Sequence, residues 1–198
     1  MKIINLKGPS HENFIGAWNI EDNDLCRNLI EFFEFNKNLQ SAGSTTGGID
    51  TSVKKTTDIT IDPVKLKDPK YIIFNKYFSK LNECFELYKN HYPYLKSMAP
   101  KVHIGHFNLQ KYVEGDHFSK LHCERDSINS IHRLFAWMTY LNNVDDGGTT
   151  DFEYFKIKIK PEIGKTLIWP AEWTHAHLGS VLNSGTKYII TGWMHFIN

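Results

Sequence analysis

No Cys-x-x-Cys pair, no apolar run of bilayer-spanning length and almost no net charge: these absences narrow the 198-residue sequence first. Its three cysteines, Cys26, Cys84 and Cys123, are odd in number and widely spaced. That excludes a disulfide framework and a four-cysteine zinc site, and predicts reduced thiols in a cytoplasmic setting. Lysine plus arginine (23) nearly cancels aspartate plus glutamate (22), leaving +1, so no nucleic-acid partner and no anionic membrane is expected. The opening MKIINLKGPS has no apolar core or cleavage site, which predicts a soluble, unexported protein. No glycine-rich phosphate cradle and no Ser-His-Asp order occurs either. What is present is 41% hydrophobic and 14% aromatic, enough for one folded domain, 1–198, with a sizeable core.

Along the chain, residues 2–6 read as a short strand. Asp22 or Asp24 can cap a helix whose apolar residues Leu25, Leu29, Ile30 and Phe33 follow helical spacing, ending near Asn36. Residues 41–52 are small, polar and glycine-rich and read as a loop, a surface connector or a lid. Thr57 to Ile61 alternates as a strand does, and Asp62-Pro63 stops it. From Lys70 to Asn90, Phe74, Tyr77, Phe78, Leu81, Phe85 and Tyr88 form the buried stripe of an amphipathic helix. After Lys101 the pattern changes to closely spaced strands, at 102–113, 118–125, 132–142, 149–159, 165–169, 175–181 and 186–197. Helices first and strands afterwards predict an α+β, mainly β fold. It would be a jelly roll with two N-terminal helices outside it, 1–100 supporting a core at 101–198.

The stretch with readable chemistry is His122-Cys123-Glu124. In a strand, residues i and i+2 share a face, so His122 and Glu124 can reach one point. A second imidazole from a distant strand would complete two histidines and a carboxylate, a set that suits Fe(II) and leaves positions open. His175 and His177 have the same parity, so either could supply it; Asp126 shares the face of Glu124.

Three segments resemble the Fe(II)/2-oxoglutarate-dependent dioxygenases, specifically the prolyl 4-hydroxylase-like branch. One runs from Tyr112 through Gly115 to His122-Cys-Glu124; another is Tyr140-Leu-Asn with Gly147-Gly148 and Thr150-Asp-Phe152. The third has His177, a basic residue, Lys187, ten positions on, and Trp193 six further. The resemblance implies a double-stranded β-helix with His122, Glu124 and His177 holding Fe(II). It also implies 2-oxoglutarate and O2 as co-substrates, hydroxylation of a C–H bond, release of succinate and CO2, and support by ascorbate (vitamin C). The far carboxylate of 2-oxoglutarate needs a cation in a dry pocket, and Lys187 can provide it. Because lysine is a point charge, a hydroxyl should share the load, with Tyr112 and Tyr140 the candidates by resemblance. Thr191 lies on the face of Lys187, and Trp193 there would wall the pocket. The primary substrate would be a prolyl or other amino-acyl residue of a peptide, or a small molecule. Arg125 is the residue placed to meet it, with substrate choice residing in loops 37–57 and 125–131. The competing class is a non-catalytic jelly-roll module that binds a metal or ligand; Lys187 at the expected interval argues against it.

Overall fold

The structure, a computed structural model, describes residues 2–3, 12–45 and 47–197. The strands are β1 (Lys2–Ile3), β2 (Gly16–Asn19), β3 (Ser41–Ala42), β4 (Lys54–Lys55), β5 (Thr57–Ile61), β6 (His103–Ile104) and β7 (Phe107–Val113). They continue as β8 (His117–His122), β9 (Arg133–Tyr140), β10 (Thr150–Phe152), β11 (Ile157–Ile159), β12 (Lys165–Pro170), β13 (His177–Gly179) and β14 (Thr186–His195). The helices are α1 (Asn23–Phe35), α2 (Ile72–His91) and the single turn α3 (Leu95–Met98). Of the strand expected at 2–6, Lys2 and Ile3 are paired with β2, and residues 4–6 lie outside the described residues.

Both main helices form where the apolar spacing places them. Asp22 caps α1, its carboxylate accepting the Leu25 N–H at 3.0 Å, and Leu25, Cys26, Leu29 and Phe33 are buried along one side. In α2 the predicted stripe is buried, with Phe78 partly covered. Asp68 and Pro69 begin a 3-10 turn ahead of it, so the helix starts at Ile72 rather than Lys70.

The strands make two antiparallel sheets. The larger runs β1-β2-β12-β9-β14-β7-β5-β3, with β6 also paired to β14; the smaller runs β11-β10-β13-β8-β4. Alternation along the larger sheet sorts its side chains. Phe107, Leu109, Phe135, Trp137, Ile168 and Ile190 face α1 and α2. Ala136, Met138, Tyr140, Leu167, Trp169 and Ile189 face the smaller sheet with Phe152, Ile157 and Ile159. This is a jelly-roll double-stranded β-helix with helices on its outer face, as the pattern predicted. Gly192 sits on the helix side, where a Cβ would meet Trp137 at 2.7 Å and Phe107 at 2.9 Å. Only glycine lets those rings close over β14.

A division at residue 100 does not match the sheets. β2 pairs with β12, β5 with β7 and β4 with β8, so the first hundred residues supply structural strands. The 41–52 stretch is likewise not all loop, because Ser41 and Ala42 pair with Asp58 and Thr57. Among the described residues no helix is long and apolar enough to cross a membrane.

Candidate metal centre and its cavity

His122 ends β8 and His177 begins β13, and the two are register partners across the smaller sheet. Their rings lie 4.5 Å apart between centroids. Strand pairing therefore delivers two imidazoles to one place from positions 55 apart in sequence. Glu124 arrives differently. β8 stops at His122, so Glu124 is not on the strand, as same-face parity assumed, but on the segment after it. That segment is held by the Arg125 N–H to Ala171 C=O bond at 2.9 Å and by Arg133, which donates to the Glu124 carbonyl at 2.9 Å. Glu124 Oε1 ends 3.4 Å from His177 Nε2 and 3.8 Å from His122 Nε2. The ligand atoms of all three residues lie within 4.8 Å of one another.

The tautomers suit a metal. His122 Nδ1 is 2.8 Å from the Lys120 carbonyl and His177 Nδ1 is 2.9 Å from that of His175. A carbonyl only accepts, so each Nδ1 carries the proton and each Nε2 presents a lone pair to the centre. Burial first, then the neighbouring His177, lowers the His122 pKa to about 4, keeping the ring neutral. For Glu124, burial works to raise the pKa but is outweighed by the close approach of His177 and His122 and by the Trp193 N–H. The carboxyl falls to about 2 and is ionised. Aromatic rings close the flanks: Phe118 stacks on His122 at 3.9 Å, and Trp169 and Phe152 stand 5.1 and 5.3 Å from His177. Two neutral imidazoles, one carboxylate and open space beyond them fit a ferrous ion.

His175 and Asp126 are not part of this cluster. His175 lies in a 3-10 turn, buried, its Nε2 2.9 Å from the Asn13 carbonyl and its Nδ1 3.0 Å from the Thr174 hydroxyl. It ties down the segment leading into β2. The shared parity with His177 fails because the strand begins only at residue 177. Asp126 accepts from the Ser130 hydroxyl at 3.2 Å. His175→Ala should therefore keep metal affinity and lose about 1–3 kcal/mol of stability through the orphaned contacts, measured by urea unfolding beside a metal titration.

Glu124, His122, His177 and Lys187 all line one cavity of about 840 Å³ between the sheets. Lys187 is only 3% exposed. Its ammonium lies 3.9 Å above the ring of Tyr112, its register partner on β7, and donates to the Gly148 carbonyl at 2.9 Å. Gly148 has φ +64°, and a Cβ there would come within 3.3 Å of the lysine chain, so glycine clears the path to that carbonyl. Among the described residues no carboxylate pairs with Lys187, and desolvation alone lowers its pKa to about 7. A buried cation without a counter-ion is prepared for an anion.

The hydroxyls expected beside it are already engaged. Tyr112 donates to Gln110 Oε1 at 3.0 Å, and Gln110 in turn donates to Asp58 at 3.1 Å. Thr191 donates to the Trp137 carbonyl at 2.9 Å. Tyr140 does not reach the cavity wall; its hydroxyl donates to Thr150, which does, at 2.6 Å. Trp193 does wall the cavity and also donates to Glu124 Oε2 at 2.6 Å. Arg125 turns away and pairs with Glu172. Arg133 is the arginine on the wall instead, its guanidinium 3.8 Å from the Trp193 ring centroid. Sequence reading passed over Arg133 and the buried Lys54–Asp58 pair, 2.6 Å apart and also on the wall. Strand parity placed Asp58 on a face, but only β5–β7 pairing shows which face is inside.

Residues 107–195 match the 2OG-Fe(II) oxygenase superfamily, which supports a 2-oxoglutarate-dependent dioxygenase. The superfamily implies Fe(II) and 2-oxoglutarate, with O2 as the other co-substrate. The fold is similar to the viral collagen prolyl hydroxylase of Paramecium Bursaria Chlorella virus-1, solved with 2-oxoglutarate. That likeness has 16% identity and a TM-score of 0.67, over 93% of this chain and 97% of that one. It is similar to a Pseudomonas putida prolyl-4-hydroxylase (14%, TM-score 0.69, 94% of each chain). A Trichoplax adhaerens prolyl hydroxylase, solved with a hypoxia inducible factor peptide fragment, is also similar (14%, TM-score 0.70, 93% and 84%). No curated protein matches the chain in sequence. The fold is thus prolyl 4-hydroxylase-like.

Proposed function

We propose that this chain hydroxylates a C–H bond of a peptide, at a prolyl or other amino-acyl residue, with His122, Glu124 and His177 holding Fe(II) and Lys187 anchoring 2-oxoglutarate. The observation that carries this reading is the buried, unpaired ammonium of Lys187 in the same cavity as three convergent ligand atoms. Bound iron supplies the redox chemistry by which one O2, one 2-oxoglutarate and one C–H become succinate, CO2 and C–OH. The protein does the rest. Lys187 pairs with the distal carboxylate and holds the co-substrate in one orientation, with two ammonium protons free after the bond to Gly148. Tyr112 supports that ammonium with its ring face rather than its hydroxyl proton, and Thr191 and Trp193 form the adjoining wall. The backbone carbonyls of residues 120 and 175 fix the imidazoles, and Phe118, Phe152 and Trp169 exclude water.

A cavity of about 840 Å³ is far larger than 2-oxoglutarate needs, leaving room for a substrate side chain. Tyr154 and Trp173 stand at its mouth as an edge-to-face pair 6.0 Å apart, 58% and 65% exposed. Exposed aromatic faces of this kind receive proline-rich segments. Cys26 and Cys123, in no disulfide among the described residues, support placing the reaction in the cytoplasm.

The test is turnover. Protein reconstituted with Fe(II) and ascorbate should convert 2-oxoglutarate to succinate, slowly alone and faster with a proline-containing peptide, the peptide gaining 16 Da (one oxygen). Absence of succinate under every condition would overturn the reading. Trp173→Ala should raise the peptide KM about tenfold with the uncoupled rate unchanged, the size of effect typical for an aromatic contact at a binding surface. Equal KM values would move peptide binding elsewhere.

A further inference from the structure

Glu124 uses its two oxygens for different tasks. Oε1 faces both Nε2 atoms, at 3.4 and 3.8 Å. Oε2 points away and accepts the Trp193 indole N–H at 2.6 Å, a short charge-assisted hydrogen bond in a partly buried setting. Arg133 backs this arrangement from two sides. Its guanidinium covers the indole face at 3.8 Å, and its Nη1 lies 4.0 Å from Oε2 while donating to the Glu124 backbone carbonyl at 2.9 Å. Trp193 itself is placed by β14–β9 pairing opposite Ala136, whose small side chain leaves the indole room to lie across the cavity wall.

We infer that Trp193 is a positioning residue that clamps Glu124 through Oε2, so that the carboxylate offers a metal one oxygen only. This rests on the metal-centre reading above and goes beyond the role of Trp193 as a cavity wall. A glutamate side chain off the end of a strand has three rotatable bonds and can turn either oxygen, or both, toward a cation. Bidentate attachment would fill a coordination position needed by 2-oxoglutarate or O2. With Oε2 committed to the indole, rotation is stopped and the vacant side is preserved. The bond also explains how a carboxylate one methylene longer than aspartate is accommodated: the added length carries Oε2 across to β14.

The experiment uses full-length protein and Co(II), a spectroscopic stand-in for Fe(II), in anaerobic titrations without turnover. Trp193→Phe keeps the ring and loses the donor. It should weaken Co(II) binding by about tenfold or more and change the visible d–d spectrum, as loss of an outer partner to a ligand does. Whatever Glu124→Asp does alone, Trp193→Phe should add nothing to it, because the shortened carboxylate no longer reaches the indole. A Trp193→Phe protein with wild-type affinity and spectrum, or losses that multiply in the double variant, would overturn the clamp. A second measurement needs no Trp193 variant. In ligand-free protein labelled at its five tryptophans, one indole N–H should resonate downfield and exchange slowly, returning to the ordinary position in Glu124→Asp. Five indole signals unmoved by that substitution would also overturn it. Wild-type protein that takes up no Co(II) would instead end the metal-centre reading itself.

Discussion

Replacing Lys187 with methionine is expected to abolish 2-oxoglutarate binding and, in the same protein, to raise the melting temperature of the ligand-free form. Both effects come from one fact: a buried ammonium whose partners among the described residues are a backbone carbonyl and a ring face. Lowering its pKa from 10.5 to about 7 means the folded state resists its charge. At or below pH 7 that resistance costs on the order of 4 kcal/mol. Methionine fills the same channel without charge, at the expense of the lost bond to Gly148, about 1–3 kcal/mol. The net gain is about 1–3 kcal/mol, a shift of several degrees for a chain of this length. Between pH 7 and 10.5 the unfolded chain binds the proton and the folded chain does not, so native stability from this group rises with pH across that window. The advantage of methionine should therefore be largest at pH 6, vanish between about pH 8 and 10, and reverse near pH 10.5. Binding of 2-oxoglutarate has the opposite dependence. The anion requires the ammonium, so above about pH 7 binding takes up a proton and affinity falls as pH rises. Calorimetry in buffers of different ionisation enthalpy reads that proton directly. Loss of the cation should weaken 2-oxoglutarate by at least about a hundredfold. A variant with unchanged affinity would place the co-substrate elsewhere, and one that melts lower at every pH would refute the uncompensated charge.

Glu124→Ala and His177→Ala should each eliminate tight metal binding, while Asp126→Ala should leave it intact. A three-ligand centre reduced to two loses both charge complementarity and geometry, and the remaining Nε2 lone pairs are then oriented toward nothing. The contrast with Asp126 is the informative one. Both carboxylates share parity in the sequence, but only Glu124 lies within 4 Å of the imidazole nitrogens; Asp126 is exposed and engaged with Ser130. Titration with Fe(II) or Co(II) under nitrogen, followed by calorimetry, distinguishes the variants. Metal retained in Glu124→Ala and lost in Asp126→Ala would reverse the assignment.

Much of this was legible in one dimension. Apolar spacing located α1 and the stripe of α2, alternation located β5, and closely spaced β-rich runs between turn residues located β9 and β14, because these are patterns that local residues report. His122, His177 and Lys187 were legible as types at intervals. The errors share a cause. Parity arguments assumed strands at Glu124 and His175 where the chain had already left the sheet, and a side chain off a strand obeys its anchoring hydrogen bonds instead.

Residue order alone determined which side chains could form a metal set and which lysine lay at a suitable distance along the chain, since those are properties of type and spacing. Only the folded molecule decided that His122 and His177 would be register partners, that the hydroxyls of Tyr112, Tyr140 and Thr191 would be occupied, and that Arg133 rather than Arg125 would face the cavity. The reason is physical. Pairing between strands far apart in sequence, and the competition of each polar group for the nearest partner, depend on which surfaces are pressed together, and no local pattern encodes that outcome.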